Sequence, residues 1–159
     1  MLNDICQFEC FLPTSREKAF QLVVDHPEKW WISPFLEEGG QAVIASAVGI
    51  EPHPGGVCYE MDPAGRRRIW GTVLSIEPPL YIRIAWQVSP NRVPIGDPAA
   101  SSRVMMEFRA SGSSARLVVT HSEFVRHGEG ADGYRSFMGE PMGWPKLLAN
   151  LSHAARERP

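Results

Sequence analysis

His121 is the side chain in this sequence whose type and position point most directly to chemistry. It lies in the strand-like segment RLVVTHSEF, where the alternation of a β-strand puts it on the same inward face as Leu117 and Val119. A buried imidazole needs a partner or meets a ligand, and its ordinary pKa of about 6.5 suits proton transfer. Two roles stay open: a candidate catalytic acid or base, or a structural histidine bonded to a backbone carbonyl or to Tyr59.

Other residues that could do chemistry do not form a recognised motif. The sequence has no GxSxG, HExxH, GxxxxGK[ST] or GxGxxG pattern, so any enzymatic activity would depend on isolated side chains. We interpret His53 as an exposed turn residue, and the remaining histidines as surface or cap residues. The available carboxylates are interpreted as loop or strand-end groups, and none is assigned as a base: Glu37, Glu38, Asp62 and Glu123.

The histidines and cysteines form no spacing pattern typical of a metal site, and no cofactor-binding motif is present. No two histidines or cysteines stand at a spacing that converges on one ion, so we expect no metal and no cofactor. The three cysteines, Cys6, Cys10 and Cys58, are an odd number without a CxxC pair. We therefore expect reduced packing residues rather than a disulfide framework.

The length, charge and hydropathy of the chain limit its domain count, its partners and its location in the cell. With 159 residues, 43% of them hydrophobic and 21% charged, we expect one globular domain over residues 1–159. A net charge of −2 gives no general attraction to nucleic acid, so no nucleic-acid partner is expected. Since the N-terminus has no leader pattern and no window reaches 18 apolar residues, we predict a cytoplasmic protein without a membrane span.

Residues 71–86, GTVLSIEPPLYIRIAW, indicate the fold most clearly. Two segments rich in β-branched and aromatic residues flank a rigid Pro-Pro turn, which predicts a strand, a turn and a strand. Alternation places Ile82, Ile84 and Trp86 inward and Arg83 and Gln87 outward. Similar patterns predict an antiparallel meander with strands at 5–12, 42–50, 57–61, 67–76, 81–88, 103–110 and 116–124.

Helices are predicted at both ends of the chain. Thr14 and Glu17 match a capping box, which predicts a first helix that ends at the Asp-His-Pro sequence 25–27, before a second short helix at 28–31. Pro145 suits the first turn of a C-terminal helix, and Arg158 suits its end. Its apolar face repeats with a period of 3.6 residues: Trp144, Leu147, Leu148, Leu151 and Ala155.

Several segments together resemble the START-related (SRPBCC) superfamily, and within it the family named after the activator of the heat-shock protein 90 ATPase. The resembling segments are PTSREKAFQLV, the Trp30-Trp31 pair, IEPHPGGVCYEM, GTVLSIEPPLYIRIAW, RLVVTHSEF and GWPKLLANL. The resemblance implies the helix-grip fold of the α+β class. In this fold a curved antiparallel sheet of about six to seven strands wraps a long C-terminal helix, with two short helices between the first and second strands.

The resemblance and the strand alternation together predict a hydrophobic cavity of roughly 300–1,000 Å³ between sheet and helix, with the loop at 90–101 as its lid. The alternative is that the same side chains interdigitate in a dry core. The candidate ligand-binding residues are those that face inward on the strands and those on the apolar helix face. Trp31 and Trp70 are included with them, although a bulge can shift the strand parity of Trp70. The full set is Trp31, Tyr59, Trp70, Trp86, Met106, His121, Phe137, Met138, Met142, Trp144 and Leu148.

Three alternative functions are compatible with this sequence. The first is binding of a small hydrophobic, aromatic or lipid-like ligand. The second is a cyclase- or hydrolase-type enzyme in the same cavity, with His121 as acid or base. The third is a co-chaperone or stress-related interaction module, although 159 residues leave no room for the additional N-terminal domain of the eukaryotic activators. Pairing of an edge strand would allow a homodimer.

Overall fold

Seven β-strands and three α-helices make up the part of the chain that the computed structural model describes, residues 4–37 and 39–157. The strands are β1 (Ile5–Leu12), β2 (Ala47–Ile50), β3 (Val57–Met61), β4 (Arg67–Glu77), β5 (Tyr81–Trp86), β6 (Ser102–Ser111) and β7 (Ser114–Ser122). The helices are α1 (Arg16–Asp25), α2 (Ala131–Gly139) and α3 (Trp144–Arg156). Glu38 and Arg158 lie outside the described residues.

The strands form one antiparallel sheet in the order β1-β7-β6-β5-β4-β3-β2. Strands β2 to β7 are neighbours in chain order, as the predicted meander requires, and β1 closes the sheet beside β7. The inner face packs against α3, whose Trp144, Leu147, Leu148 and Leu151 are buried as their spacing predicted. The predicted α+β helix-grip architecture is confirmed.

The first helical region differs from the prediction in its details. Ser15, not Thr14, caps α1, and its Oγ accepts a hydrogen bond from the Lys18 amide at 3.2 Å. Thr14 still belongs to the turn after β1, because its own amide donates to the Leu12 carbonyl at 2.8 Å. The second short helix is a single 3₁₀ turn, Pro27–Lys29, rather than a helix over 28–31.

The C-terminal region contains two helices instead of one continuous apolar face. Phe137 and Met138 belong to α2, and Met142 lies in the segment that joins α2 to α3. Gly143 allows this break, because a Cβ atom there would lie 2.3 Å from the Met138 carbonyl oxygen. Phe137 and Met138 therefore belong to a different element than Trp144 does, and Met142 lies exposed between the two helices.

Strand β3 turns the opposite face inward from the one that alternation predicted. Cys58 and Glu60 are fully buried, whereas Tyr59 lies on the other face with the Arg67 guanidinium 3.9 Å from its ring centroid. Tyr59 also covers Gly49, where a Cβ atom would lie 2.4 Å from its hydroxyl oxygen. A register shift at Cys58/Tyr59 accompanies this arrangement. The placement of Tyr59 in the cavity was therefore wrong.

The loop at 90–101 packs against the outer face of the sheet. The amide of Ile95 donates to the Gln87 carbonyl at 3.0 Å, and Gln87 Nε2 donates to the Ile95 carbonyl at 2.8 Å. This buries Gln87, which alternation predicts to be exposed, and anchors the loop at Ile95. Arg92 of the same loop nevertheless lines the cavity described below, for which the loop is a predicted lid. Strand β2 begins at Ala47 instead of residue 42, and the other strand ends agree with prediction within two residues.

All three cysteines are free thiols, and Cys58 is fully buried. Burial raises the pKa of the Cys6 and Cys10 thiols to about 11. Of the helices in residues 4–37 and 39–157, none is long and apolar enough to cross a membrane.

Candidate ligand-binding site

An apolar cavity of about 200 Å³ lies between the end of β5, the segment 31–34, α2 and the start of α3. It is smaller than the predicted 300–1,000 Å³. Ile32 and Met142 are 44% and 69% exposed, so they lie at its mouth. The residues that line it are Trp31, Ile32, Ser33, Pro34, Trp86, Val88, Arg92, Tyr134, Phe137, Met138, Met142, Gly143 and Leu147.

Indole rings form the inner wall of this cavity. Trp31 and Trp86 both line it, with ring centroids 5.6 Å apart in an edge-to-face arrangement. Trp70 stacks on Trp31 with centroids 3.9 Å apart and is itself fully buried. Since stacked and edge-to-face rings restrain one another, the wall is a rigid aromatic surface.

A buried carboxyl group holds part of this wall in place. Glu60 is fully buried and accepts hydrogen bonds from Trp31 Nε1 at 3.0 Å and from the Ser33 hydroxyl at 2.7 Å. Both donors belong to residues that line the cavity. Sequence reasoning missed Glu60 because it assigned the inward face of β3 to Tyr59.

Tyr134 supplies a polar group to the cavity wall and was also missed. Its side chain is 6% exposed, and its hydroxyl oxygen accepts a hydrogen bond from Trp86 Nε1 at 2.8 Å. Burial raises the pKa of this phenol, which outweighs the opposing effects of the Trp86 hydrogen bond and the charge of Arg92. The i, i+3, i+4 spacing of Tyr134, Phe137 and Met138 was the signal that could have found it.

Arg92 brings the cationic group to this cavity. Its guanidinium lies 4.6 Å from the centroid of the Phe137 ring, an arrangement typical of cation–π attraction. Its backbone has a φ of 62°, and its carbonyl accepts a hydrogen bond from the Leu36 amide at 3.2 Å. Within the described chain, none of the residues that line the cavity carries a negative charge.

Apart from Tyr59, which lies on the other face of β3, the candidate residues from the sequence divide into two groups around this cavity. Five of them line it: Trp31, Trp86, Phe137, Met138 and Met142. Five others are buried in the core but are not part of its lining: Trp70, Met106, His121, Trp144 and Leu148. The alternative of a filled core therefore describes the region around His121, and an open cavity describes the region around α2.

His121 belongs to a hydrogen-bonded chain inside the core. Trp144 Nε1 donates to His121 Nδ1 at 3.0 Å, so the proton of the neutral imidazole resides on Nε2. Nε2 then donates to Ser102 Oγ at 2.7 Å, and the Ser102 hydroxyl donates to His127 Nε2 at 2.7 Å. The partners of His121 are thus Trp144 and Ser102, not a backbone carbonyl or Tyr59. His127, predicted at the surface, is half-buried in this chain.

Burial keeps the two histidines of this hydrogen-bonded chain unprotonated. It lowers the pKa of His121 well below the usual value, and the nearby His127 acts in the same direction. Burial also lowers the pKa of His127 to about 4, against the opposing charge of Asp4. Because Trp144 can only donate, a proton on His121 Nδ1 would break the hydrogen bond between them. Both imidazoles are neutral at physiological pH.

The described residues contain no cluster of three or more histidine, cysteine or carboxylate side chains that could hold a metal ion. Asp62 and Glu123 also lie apart from the cavity. Asp62 accepts hydrogen bonds from the Arg66 amide and guanidinium, both at 2.9 Å, and the amide bond is the largest cause of its lowered pKa. These two carboxylates are part of local ion pairs.

Comparison with known sequences identifies the family. The sequence model of the family described as "Activator of Hsp90 ATPase homolog 1-like protein" matches residues 13–156, nearly the whole chain. The chain belongs to this family. No curated protein sequence matches the chain at a significant level.

Several solved structures share the fold of this chain and align with it over nearly its whole length. CalC from Micromonospora echinospora, described as a self-sacrificing resistance protein, is 26% identical, with a TM-score of 0.66 over 96% of this chain and 94% of CalC. Txn09, an anthrahydroquino-gamma-pyrone synthase complexed with SUM, is 24% identical, with a TM-score of 0.65 over 94% and 95% of the two chains. The Aha1 dimer from Colwellia psychrerythraea is 13% identical, with a TM-score of 0.62 over 98% and 96%.

Proposed function

We propose that this protein binds a small aromatic or otherwise apolar molecule in the cavity between β5, α2 and α3. The observation that carries this proposal is the cavity of about 200 Å³ lined by Trp31, Trp86, Phe137 and Met138. An apolar cavity of about 150 Å³ is known to take up benzene, so this one suits a ligand of one or two rings. Flexible methionines at its wall allow it to adapt to the shape of the ligand.

The related structures support binding of small molecules but not a specific reaction. The synthase Txn09 is described as a complex with SUM, while CalC is described as a resistance protein. Their names denote different functions on one fold, and fold alone does not carry a function over. An enzyme with His121 as acid or base lacks support, because both of its ring nitrogens are bonded within the core. A chaperone partner rests on the family name alone.

Calorimetric titration with indole and 2-naphthamide tests the proposal. We expect one-to-one binding that Leu147→Phe weakens at least tenfold, because the larger ring would occupy the cavity that Leu147 lines. The matched control is Leu80→Phe, the same change at an exposed leucine that does not line the cavity. Absence of binding, or equal weakening by both variants, would contradict the proposal.

A further inference from the structure

Two hydrogen-bond donors at the wall of this apolar cavity are not used by the protein. The Tyr134 hydroxyl oxygen accepts from Trp86 Nε1, but within the described residues its own O–H has no acceptor. The hydroxyl is nevertheless buried, since the side chain is only 6% exposed. A buried donor without an acceptor is unfavourable, and native structures usually provide a partner for it.

Arg92 is the second unused donor. Among residues 4–37 and 39–157, no carboxylate forms an ion pair with its guanidinium. The guanidinium carbon instead lies 4.6 Å from the centroid of the Phe137 ring. Its left-handed backbone, with a φ of 62°, is unfavourable for a residue other than glycine. The conformation is held by hydrogen bonds from the Arg92 amide to the Ser89 carbonyl at 2.8 Å and from the Leu36 amide to the Arg92 carbonyl. Strained residues of this kind often occur where a ligand is held.

The two donors lie on the same cavity. Both residues line it, and the charge of Arg92 acts on the Tyr134 phenol. Since burial raises the pKa of Tyr134, its hydroxyl keeps its proton and remains a donor. The lining residues include no carboxylate, and the oxygens of Glu60, which lies behind the wall, accept hydrogen bonds from Trp31 Nε1 and the Ser33 hydroxyl. A guanidinium and a phenol at such an apolar lining form a site for a negatively charged oxygen acceptor.

We infer that the ligand of this cavity is a small aromatic carboxylate, whose oxygens accept hydrogen bonds from Tyr134 and Arg92 while its ring lies against Trp31 and Trp86. This inference rests on the proposed function and adds the charge of the ligand to it. A carboxylate matches the planar, forked donors of a guanidinium, and a single cation balances its single charge. The ring portion of one or two cycles fits a cavity of about 200 Å³.

A matched pair of probes separates charge from shape. 2-Naphthoate and 2-naphthamide have nearly the same shape, but only the first is an anion at neutral pH. We expect the unmodified protein to bind 2-naphthoate at least tenfold more tightly, measured by calorimetry at low salt. Arg92→Met should abolish this preference, so that the two probes bind with affinities within about threefold of each other, because methionine keeps the apolar part of the side chain and removes the charge.

Further variants test the geometry. Arg92→Lys should keep part of the preference, since it retains the charge without the forked donors. Tyr134→Phe should weaken 2-naphthoate binding about three- to tenfold, because one hydrogen bond to a charged group is lost. Arg109→Met is the control, since Arg109 is exposed on β6 and does not line the cavity. Thermal unfolding of each variant checks that it is folded.

The outcomes distinguish this inference from the function on which it rests. Equal binding of both probes, unchanged by Arg92→Met, would overturn the carboxylate assignment while the cavity remained a binding site. A preference for 2-naphthoate that survives Arg92→Met would overturn the role of Arg92. Binding of 2-naphthamide without binding of 2-naphthoate would also overturn the carboxylate assignment. Failure of both probes to bind the unmodified protein would overturn the proposed function and the inference together.

Discussion

Two buried polar regions lie within the same helix grip and differ in how much of their hydrogen-bonding capacity the protein itself uses. Around His121, both ring nitrogens and the Ser102 hydroxyl are engaged by protein partners. Among the described residues of this chain of hydrogen bonds, His127 Nδ1 at its end is buried without a partner. Around the cavity, the Tyr134 hydroxyl accepts one hydrogen bond but donates none within the described residues, and the Arg92 guanidinium has no carboxylate there. The first region holds the core together, whereas the second has donors available for a ligand.

In this chain, residue type alone does not separate the side chains at the cavity from those in the filled core. Histidine is the usual candidate for acid–base chemistry, yet here His121 is fully buried and bonded to Trp144 and Ser102. Tyrosine and arginine carry no such expectation, yet the Tyr134 and Arg92 side chains line the cavity. Unused bonding capacity at a cavity wall identifies the candidate site better than residue type does.

Replacement of His121 by alanine should produce the largest effect on this comparison. It would leave the Trp144 N–H and the Ser102 hydroxyl without their partner and create a cavity in the core. We expect the free energy of unfolding to fall by about 2–4 kcal/mol, measured by urea denaturation.

The control for this variant is His153→Ala, a histidine on the exposed side of α3 with a surface ion pair to Glu157. We expect a change of no more than about 0.5 kcal/mol there. If His121→Ala kept full stability but lost ligand binding, the two regions would have the opposite roles from those argued above.

Acidification should give the next largest effect, and it acts on the same chain of hydrogen bonds. The pKa of His121 is lowered in the folded protein, and that of His127 is lowered to about 4, so the unfolded chain binds more protons below its own histidine pKa of about 6.5. The stability that depends on neutral His121 and His127 is therefore fully present above about pH 6.5 and is lost as the pH falls towards 4. Between pH 7 and pH 5 the free energy of unfolding should therefore fall, and His127, with a folded pKa of about 4, should account for on the order of 1–2 kcal/mol of that fall.

Urea denaturation at pH 7, 6 and 5 measures this dependence. Because the lowered carboxylate pKa values of Asp62 and Glu123 move their titration to more acidic pH, the histidines dominate this window. Stability that is constant or rises from pH 7 to pH 5 would show that the two imidazoles are not kept neutral by the fold.

Much of the fold was predictable because it depends on periodic patterns. The alternation in β5 correctly placed Ile82, Ile84 and Trp86 inward, and the 3.6-residue spacing correctly identified the buried face of α3. Both patterns reflect which side of a regular element is removed from water, which the sequence records locally. The strand and turn patterns also predicted the meander order, and the family resemblance implied the helix-grip arrangement of sheet and helix.

The site was less predictable because it depends on irregular features. A register shift between β3 and β4 and the covering of Gly49 by Tyr59 put Glu60 inside, against simple parity. The break at Gly143 separated α2 from α3 and brought Tyr134 to the cavity wall. Arg92 lies in a loop whose φ of 62° no periodicity could indicate. Long-range packing decides these positions, and a local pattern does not contain it.

The most direct test of the contrast between the two regions is a nuclear magnetic resonance titration with 2-naphthoate that follows the indole N–H signals. Trp31 and Trp86 line the cavity, whereas the Trp30 N–H is bonded to the Val23 carbonyl and the Trp144 N–H to His121. We predict that the Trp31 and Trp86 signals shift strongly with saturation, while those of Trp30 and Trp144 change little. No saturable shift at Trp31 and Trp86, or the largest shift at Trp144, would contradict a binding cavity beside a structural histidine core.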